Sequence, residues 1–402
     1  MPVKSVVTRT YKFRLYPDHN QYKKLHRALG ACRWVYNKMV EKINKEGFQS
    51  RNDLNYFLTE LKESESWLYS YHSKMLQMVS TQIDGAQKSL KELRKNGHKT
   101  GSLKFVRFSK YNAFTYNQSG FEIKDGFLHL SKIGKLKLIC HRPIPENHSI
   151  NQITISKSKS GKWHACISCE IDAVLPKILP KIRLSKPVGI DVGIKNFAYD
   201  SDGFATPNPL NLQKMLRPLA RIQRKISRRQ NGSNNRKKAV KWYQTIHQRI
   251  KNKRKDFLHK LSTQYAKKYD VVFVEKLAKL NMVKNPKLAR SILDSGWSIF
   301  SKMLDYKTIL VKVPAKNTTI QCSRCGSMVQ KSMAVRTHRC NACGLVLDRD
   351  HNAAINILKK GYEIFNLSPH ATIKVPQELR ELTPVEISTR SRKQEEATGL
   401  VR

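Results

Sequence analysis

Residues 5–16, SVVTRTYKFRLY, alternate loosely between apolar and polar side chains, the period of a strand with one buried face. Pro17 and Asp18 end it, and Asp18 is suited to cap a helix. Leu25, Leu29, Cys32, Tyr36 and Met39 follow at helical spacing and predict an amphipathic helix over 19–46. More helix is expected to about residue 96, with apolar faces at Trp67–Leu68 and Gln77–Leu90, closed by Asn96–Gly97. From about 103 the period drops to two. Phe121–Ile123, Phe127–Leu130, Leu136–Cys140, Ile153–Ser156 and Trp163–Ile171 are short segments separated by turns at Asp125–Gly126, Ile133–Gly134 and Ser160–Gly161. This spacing suggests a small barrel or sandwich. If the first strand joins it, the helical block is an insertion into a β domain.

Residues 174–186, VLPKILPKIRLSK, read as a linker. PVGIDVGIKNFAYDSDG then reads as strand, tight turn, strand. A basic helical region follows, broken at Asn231–Asn235, which predicts a helical hairpin. VVFVEKL (271–277) is a short apolar run of the kind buried on both faces of a sheet. Residues 288–306 read as helix, 309–313 as strand, and a last helix starts near Asp350 and stops around Gly361. The remainder, 366–402, has little periodicity and is expected to be weakly ordered or disordered.

Composition narrows what such a chain can do. At 402 residues and 40% hydrophobic it can bury a substantial core, so general disorder is excluded. No apolar run approaches the roughly 20 residues of a membrane-spanning helix, and the N-terminal residues carry no secretory h-region. The 76 Lys and Arg against 30 Asp and Glu leave a formal charge of +46. A compact chain so charged repels itself and calls for a polyanion, nucleic acid first and an anionic membrane surface second. The charge is uneven: Lys214–Lys260 holds 17 Lys and Arg and one Asp, whereas the residues after Phe365 hold six basic and five acidic side chains.

Four of the eight cysteines form two C-x2-C pairs, Cys322/Cys325 and Cys340/Cys343, fourteen residues apart, each pair followed by a glycine. Two residues between thiolates let both face one ion from a tight turn. A structural zinc with a closed shell of four thiolates is therefore expected, in a reducing compartment. Paired redox disulfides are the alternative. Cys166 and Cys169 lie three apart along a strand, on opposite faces, and read as ordinary strand cysteines.

Carboxylates are scarce enough for their positions to inform. Asp191 ends the apolar run PVGID, Glu275 ends VVFVE, and Asp350 begins the last helix in DRDHNAAIN. Two strand ends and a helix start can converge in an α/β fold, and three carboxylates can hold two hard cations such as Mg2+, the arrangement that supports phosphodiester displacement. Each also has a plain alternative: Asp350 as an N-cap, Asp191 as a turn residue, Glu275 as a paired charge at a strand edge.

GIDVGIKNFA (189–198), VEKL (274–277), the doubled C-x2-C and DRDHNAAINI (348–357), together with KNKRKDFLHK (251–260) and KFRLYPD (12–18), resemble the TnpB family. These are RNA-guided endonucleases of insertion-sequence transposons, related to the miniature type V CRISPR effectors and the Fanzor proteins. The resemblance runs to about Ile357.

The resemblance implies an α/β multidomain protein. It would comprise a wedge β-barrel (1–17 and 100–180), an inserted helical recognition lobe (18–99) and an RNase H-like RuvC nuclease domain (185–321 and 346–365). A zinc ribbon (322–345) would sit within the nuclease domain. It implies Asp191, Glu275 and Asp350 as catalytic acids holding Mg2+, with two ions, and Asp348 as the alternative to Asp350. The implied partners are one noncoding guide RNA per protein and target double-stranded DNA, in a prokaryotic, nucleoid-associated cytoplasmic setting. Nucleic-acid contacts are expected at Arg221, Arg224, Lys225, Arg228, Arg229, Lys251, Lys253 and Arg254. Arg336 would lie near the scissile phosphate or simply at the surface. One departure from the family pattern is that Tyr306–Lys307 run almost directly into ILVKV, a connection shortened by a few residues. The competing readings are a nuclease-impaired RNA-guided repressor and an RNA-independent transposase or resolvase.

Overall fold

The computed structural model describes residues 3–144, 149–175, 186–332 and 335–367. The chain divides into two compact units, Met1–Ile178 and Leu179–Arg402.

In the first unit, β1 (Val3–Tyr16) runs into α1 (His19–Glu46) through a capping box. Asp18 accepts the backbone N–H of Gln21 at 2.8 Å, and the Gln21 side chain accepts the N–H of Asp18 at 2.9 Å. Two of the orphan donors of the first turn are thereby satisfied. α2 (Arg51–Ser64), a 3-10 turn (Ser66–Ser70) and α3 (Ser73–Lys95) follow. The strands are β2 (Ala113–Asn117), β3 (Phe121–Lys124), β4 (Phe127–Leu130), β5 (Gly134–Ile139), β6 (Ser149–Lys157) and β7 (Trp163–Leu175). Spatially they run β2-β6-β7-β1-β5-β4-β3. β1 therefore sits in the middle, paired with β7 from Val3↔Leu175 to Leu15↔Trp163, and the helices are an insertion into the sheet. Tyr11, Phe13 and Leu15 alternate into the core beside Trp163, Ala165, Ile167 and Cys169, against Leu25, Leu29, Cys32 and Met39 of α1. Full burial of a side chain such as Phe13, Leu15 or Leu25 contributes about 1.5–3 kcal/mol.

Three details correct the sequence reading. The sheet is not a closed barrel: β2 and β3 are its two edges. Only residues 118–120 join them in the chain, so the sheet must curl to bring its edges near one another. β2 itself was not foreseen. β7 continues to Leu175, so the first residues of the expected linker belong to the strand; residues 176–185 lie outside the described ones.

The second unit is built on β8 (Pro187–Asp191), β9 (Asn196–Asp200), β10 (Ala205–Pro207), β11 (Val271–Glu275) and β12 (Ile309–Val313), in the order β10-β9-β8-β11-β12. β8, β11 and β12 are parallel; β9 is antiparallel to β8, and β10 is antiparallel to β9. The expected helical hairpin is α4 (Leu216–Ser227) and α5 (Asn234–Lys268), seamed by Leu219, Ile222, Ile246 and Ile250. A short α6 (Lys279–Met282) precedes α7 (Pro286–Ser295) and α8 (Trp297–Asp305). The single helix expected over 288–306 is thus two, broken at Gly296 in the left-handed conformation. β13 (Thr337–Arg339) and β14 (Val346–Asp348) form a small hairpin that leads into α9 (Arg349–Leu367).

The short connection after Tyr306 leaves the sheet intact. β12 pairs with β11 in unbroken register from Ile309↔Val271 to Val313↔Glu275. The Lys307 ammonium reaches the His259 carbonyl at 3.0 Å and the Ser262 and Thr263 hydroxyls at 2.8 Å, which pins the turn to α5. Residues 368–402, most of the expected disordered segment, lie outside the described residues. Among the described residues no helix is long and apolar enough to cross a membrane.

Candidate functional site

Strand alternation decides where the carboxylates go. Val188 and Ile190 of β8, with Val272 and Val274 of β11, pack against Leu258, Leu261 and Tyr265 of α5 and Phe300 of α8. Val271 and Phe273 pack on the other side with Ile357 of α9. Successive strand residues point to opposite faces, so Asp191 and Glu275 belong to the α9 side, at the carboxyl ends of neighbouring parallel strands.

Two glycines let α9 lie close on that face. A Cβ on Gly189 would stand 2.3 Å from the Ala354 carbonyl oxygen, and one on Gly361 would stand 2.2 Å from the Phe273 ring. The helix crosses β8 with Ala354 and Leu358 over Gly189, which puts its first turn, and Asp350, at the strand ends beside Asp191. The partial positive charge of a helix N-terminus favours carboxylates there.

The helix is capped by Asp348, whose Oδ1 accepts the N–H groups of Asp350 at 2.8 Å and His351 at 3.4 Å. Asp350 is therefore not the cap. It is 9% exposed, with Arg349 Nε 3.5 Å from one carboxylate oxygen and Arg336 Nη1 3.7 Å from the other. Burial holds the Asp191 carboxyl well above the usual range, and the negative charges of Glu275 and Asp350 add to the effect; Arg349 and the N–H of Val192 oppose it. Glu275 is also raised by burial, against a hydrogen bond from the Thr318 hydroxyl and the charge of Lys360. Asp191, buried beside the charges of Glu275 and Asp350, with them makes a fitting set of ligands for a hard divalent cation, whose charge would offset the crowding.

The four cysteines form a separate centre. Their sulfurs all lie within 4.8 Å of one another, with Cys322–Cys343 at 3.7 Å and Cys325–Cys340 at 3.5 Å. A tetrahedron with Zn–S bonds of about 2.3 Å has edges of about 3.8 Å, so the set can hold zinc. Each pair is closed by its glycine: the Gly326 N–H donates to the Cys322 carbonyl at 3.0 Å and Gly344 to Cys340 at 2.9 Å. Both glycines have φ values, 80° and 73°, that favour glycine. Hydrogen bonding with Ser327 lowers the Cys325 thiol to about 6. Among the described residues no other group of three or more such ligands is drawn so close. Cys169 is buried and Cys166 is part-exposed.

Several residues around these centres have roles that the sequence motifs do not disclose. Asn352 and Asn356 are buried on α9. Asn352 accepts the Ser323 N–H at 2.9 Å and donates to the Gln321 carbonyl at 2.8 Å; Asn356 donates to the Thr318 and Gln321 carbonyls at 2.9 and 2.7 Å. Together they hold the segment that enters the first cysteine pair. His351 stacks on Tyr199 with ring centroids 5.3 Å apart, tying α9 to β9. A pair of amides four apart in a helix otherwise written AAINI was the available clue.

Of the expected nucleic-acid contacts, Arg221, Arg224, Lys225, Arg228, Lys251 and Lys253 are exposed on α4 and α5 or immediately after α4. The Lys225 ammonium lies 5.5 Å from the ring centre of the half-exposed Trp242. Arg229 and Arg254 are turned inward by comparison. Arg229 donates to the Asn235 carbonyl across the hairpin turn, and Arg254 is paired with Asp294, whose other oxygen accepts the Leu212 N–H at 3.0 Å.

Residues 167–286 match a family described as "Probable transposase", residues 297–357 one described as "Cas12f1-like, TNB domain", and residues 1–50 one described as "Helix-turn-helix domain". A Streptomyces pristinaespiralis protein named "Putative RNA-guided DNA endonuclease" is 34% identical over 370 residues, covering 88% of this chain and 90% of its own. An Escherichia coli K12 protein named "Putative RNA-guided DNA endonuclease InsQ" is 29% identical over 386 residues, with 88% and 92% covered. Among solved structures, the protein in a Cas12f1–sgRNA–target DNA complex shares the fold, with a TM-score of 0.52 at 14% identity over 88% of this chain and 98% of that one. With a relative this similar along nearly its whole length, the chain belongs to the TnpB family.

Proposed function

We propose that the chain is an RNA-guided DNA endonuclease that binds a transposon-derived noncoding RNA, pairs its guide with one DNA strand next to a short flanking motif, and hydrolyses phosphodiester bonds at Asp191, Glu275 and Asp350. The observation that carries the reading is the burial of Asp191 at a strand end, among the charges of Glu275 and Asp350 at the adjoining strand and helix ends. The strand order β10-β9-β8-β11-β12, with the last three strands parallel, supports an RNase H-like domain of RuvC type. The relatives' names support the RNA-guided activity.

Mg2+, two ions in the fullest arrangement, would supply Lewis-acid stabilisation of the entering and leaving oxygens. Asp191, at the end of the central strand β8, would be one of the residues that hold the ions. Glu275 and Asp350 would complete the ligand set from either side. Arg336 and Arg349, already at Asp350, can meet the non-bridging phosphate oxygens of a bound strand. The cysteine centre would hold zinc in a structural role, since four sulfurs leave no open position. The exposed cations of α4 and α5 are the expected RNA and heteroduplex contacts.

The test is Asp191→Ala in the purified ribonucleoprotein, incubated with a matched plasmid and Mg2+. Cleavage should vanish while RNA binding stays. Continued cutting would overturn the assignment, and a protein fully active without RNA would overturn the guided mechanism.

A further inference from the structure

We infer that Thr318 is a positioning residue for Glu275, fixing which carboxylate oxygen the nuclease centre presents, and that the segment carrying it is held in place from α9. The inference rests on the assignment of Glu275 as a metal ligand. Thr318 is 2% exposed, and its hydroxyl has two acceptors within reach, Glu275 Oε1 and, at 3.2 Å, the Ala315 carbonyl. One hydroxyl carries one proton. The nearer acceptor takes it, and the bond strengthens when the carboxyl ionises to meet a cation, because hydrogen bonds to ionised groups are the stronger. Oε1 is thereby anchored, which leaves Oε2 as the oxygen without that bond and the freer of the two for a cation.

A glutamate has several rotatable side-chain bonds, and ordering such a side chain costs conformational entropy. A buried hydroxyl that fixes the rotamer before metal arrives meets that cost during folding instead. Thr318 is itself fixed. The Asn356 amide donates to the Thr318 carbonyl at 2.9 Å and to the Gln321 carbonyl at 2.7 Å. Asn352 holds Gln321 and Ser323 on either side of Cys322. The support for Glu275 therefore comes from the helix that carries Asp350, by way of the segment that opens the cysteine centre.

Groups that orient a metal ligand typically change metal affinity or activity by about 10–100-fold when removed. The test uses the full-length protein freed of nucleic acid and titrated with Mn2+ by calorimetry, with zinc content and melting temperature measured alongside. Thr318→Val, which keeps shape and removes the donor, should weaken the Mn2+ site by about 10–100-fold. Thr318→Ser, which restores the donor, should bring it back to within a few-fold. Thr318→Ala serves as a second donor-less variant if valine does not fold. Unchanged Mn2+ affinity in a folded donor-less variant overturns the inference, as does an equal loss in the serine variant. Glu275→Gln separates the two levels. If it too leaves Mn2+ binding intact, the metal-site assignment fails; if it abolishes binding while Thr318→Val does not, only the positioning role fails.

Discussion

Asp348 Oδ1 accepts the backbone N–H of Asp350 at 2.8 Å, so two acids two residues apart have divided their labour. Asp348 begins the helix, and Asp350 is left to join Asp191. Asp348→Ala should cost about 1 kcal/mol in stability, the usual worth of an N-cap, and leave measurable cleavage. Asp350→Asn should abolish cleavage with no loss of melting temperature. Thermal melts paired with plasmid cleavage distinguish the two, and equal loss of activity without a stability difference would contradict the division.

The raised carboxyls set a pH dependence with a definite sign. In the folded, metal-free protein Asp191 and Glu275 keep protons that the unfolded chain has released above about pH 4. Their contribution to stability therefore falls as pH rises from the ordinary carboxylate range through their raised values, and stays low above them. Asp191→Asn escapes this loss. Its melting temperature should exceed that of the wild type by a margin that widens with pH and narrows when Mg2+ is added; a margin independent of pH would count against the crowding.

Removing the metal from the cysteine centre should release four thiols. In the native protein Cys140 is exposed, while Cys32 and Cys169 are buried. A thiol reagent should find four additional reactive groups after treatment with a zinc chelator, and atomic emission should find one zinc per chain beforehand. Cys340→Ser should lose that zinc. A count unchanged by chelation would mean the cysteines are not metal ligands.

The cations of the hairpin should fall into two classes. Arg224 is exposed, and Arg224→Ala should leave the melting temperature alone while lowering the salt sensitivity of RNA binding by about 0.7 in log–log slope if it meets one phosphate. Arg254 is partly buried against Asp294, and Arg254→Ala should destabilise the fold by about 1–3 kcal/mol because it strands a carboxylate. Salt titrations and thermal melts of both variants check this, and a reversed pattern would refute it.

What could be read from the chain was what is local. Asp18 and Gln21 write the start of α1 within four residues, and the Asn231–Asn235 break writes the hairpin. AFTYN does not declare itself as β2 in the sequence, and its burial is decided by β6, about forty residues on. Strand ends pointed to Asp191 and Glu275, but only the family motif preferred Asp350 over Asp348, since either could cap a helix. The roles of Thr318, Asn352 and Asn356 were illegible because their partners are backbone groups, or a carboxylate 43 residues away, none of which leaves a mark at the residue itself. Arg254 looked like its neighbours until Asp294 was seen beside it.

The close fit of α9 on Gly189 has a consequence in time. The helix that supplies the third acid is made 159 residues after Asp191. At about 5–20 residues per second, roughly 10–30 seconds of synthesis separate the two. Through that interval β8 exposes a bare glycine where a helix must dock, and the basic hairpin of α4 and α5 is complete about eighty residues before Asp350 is made.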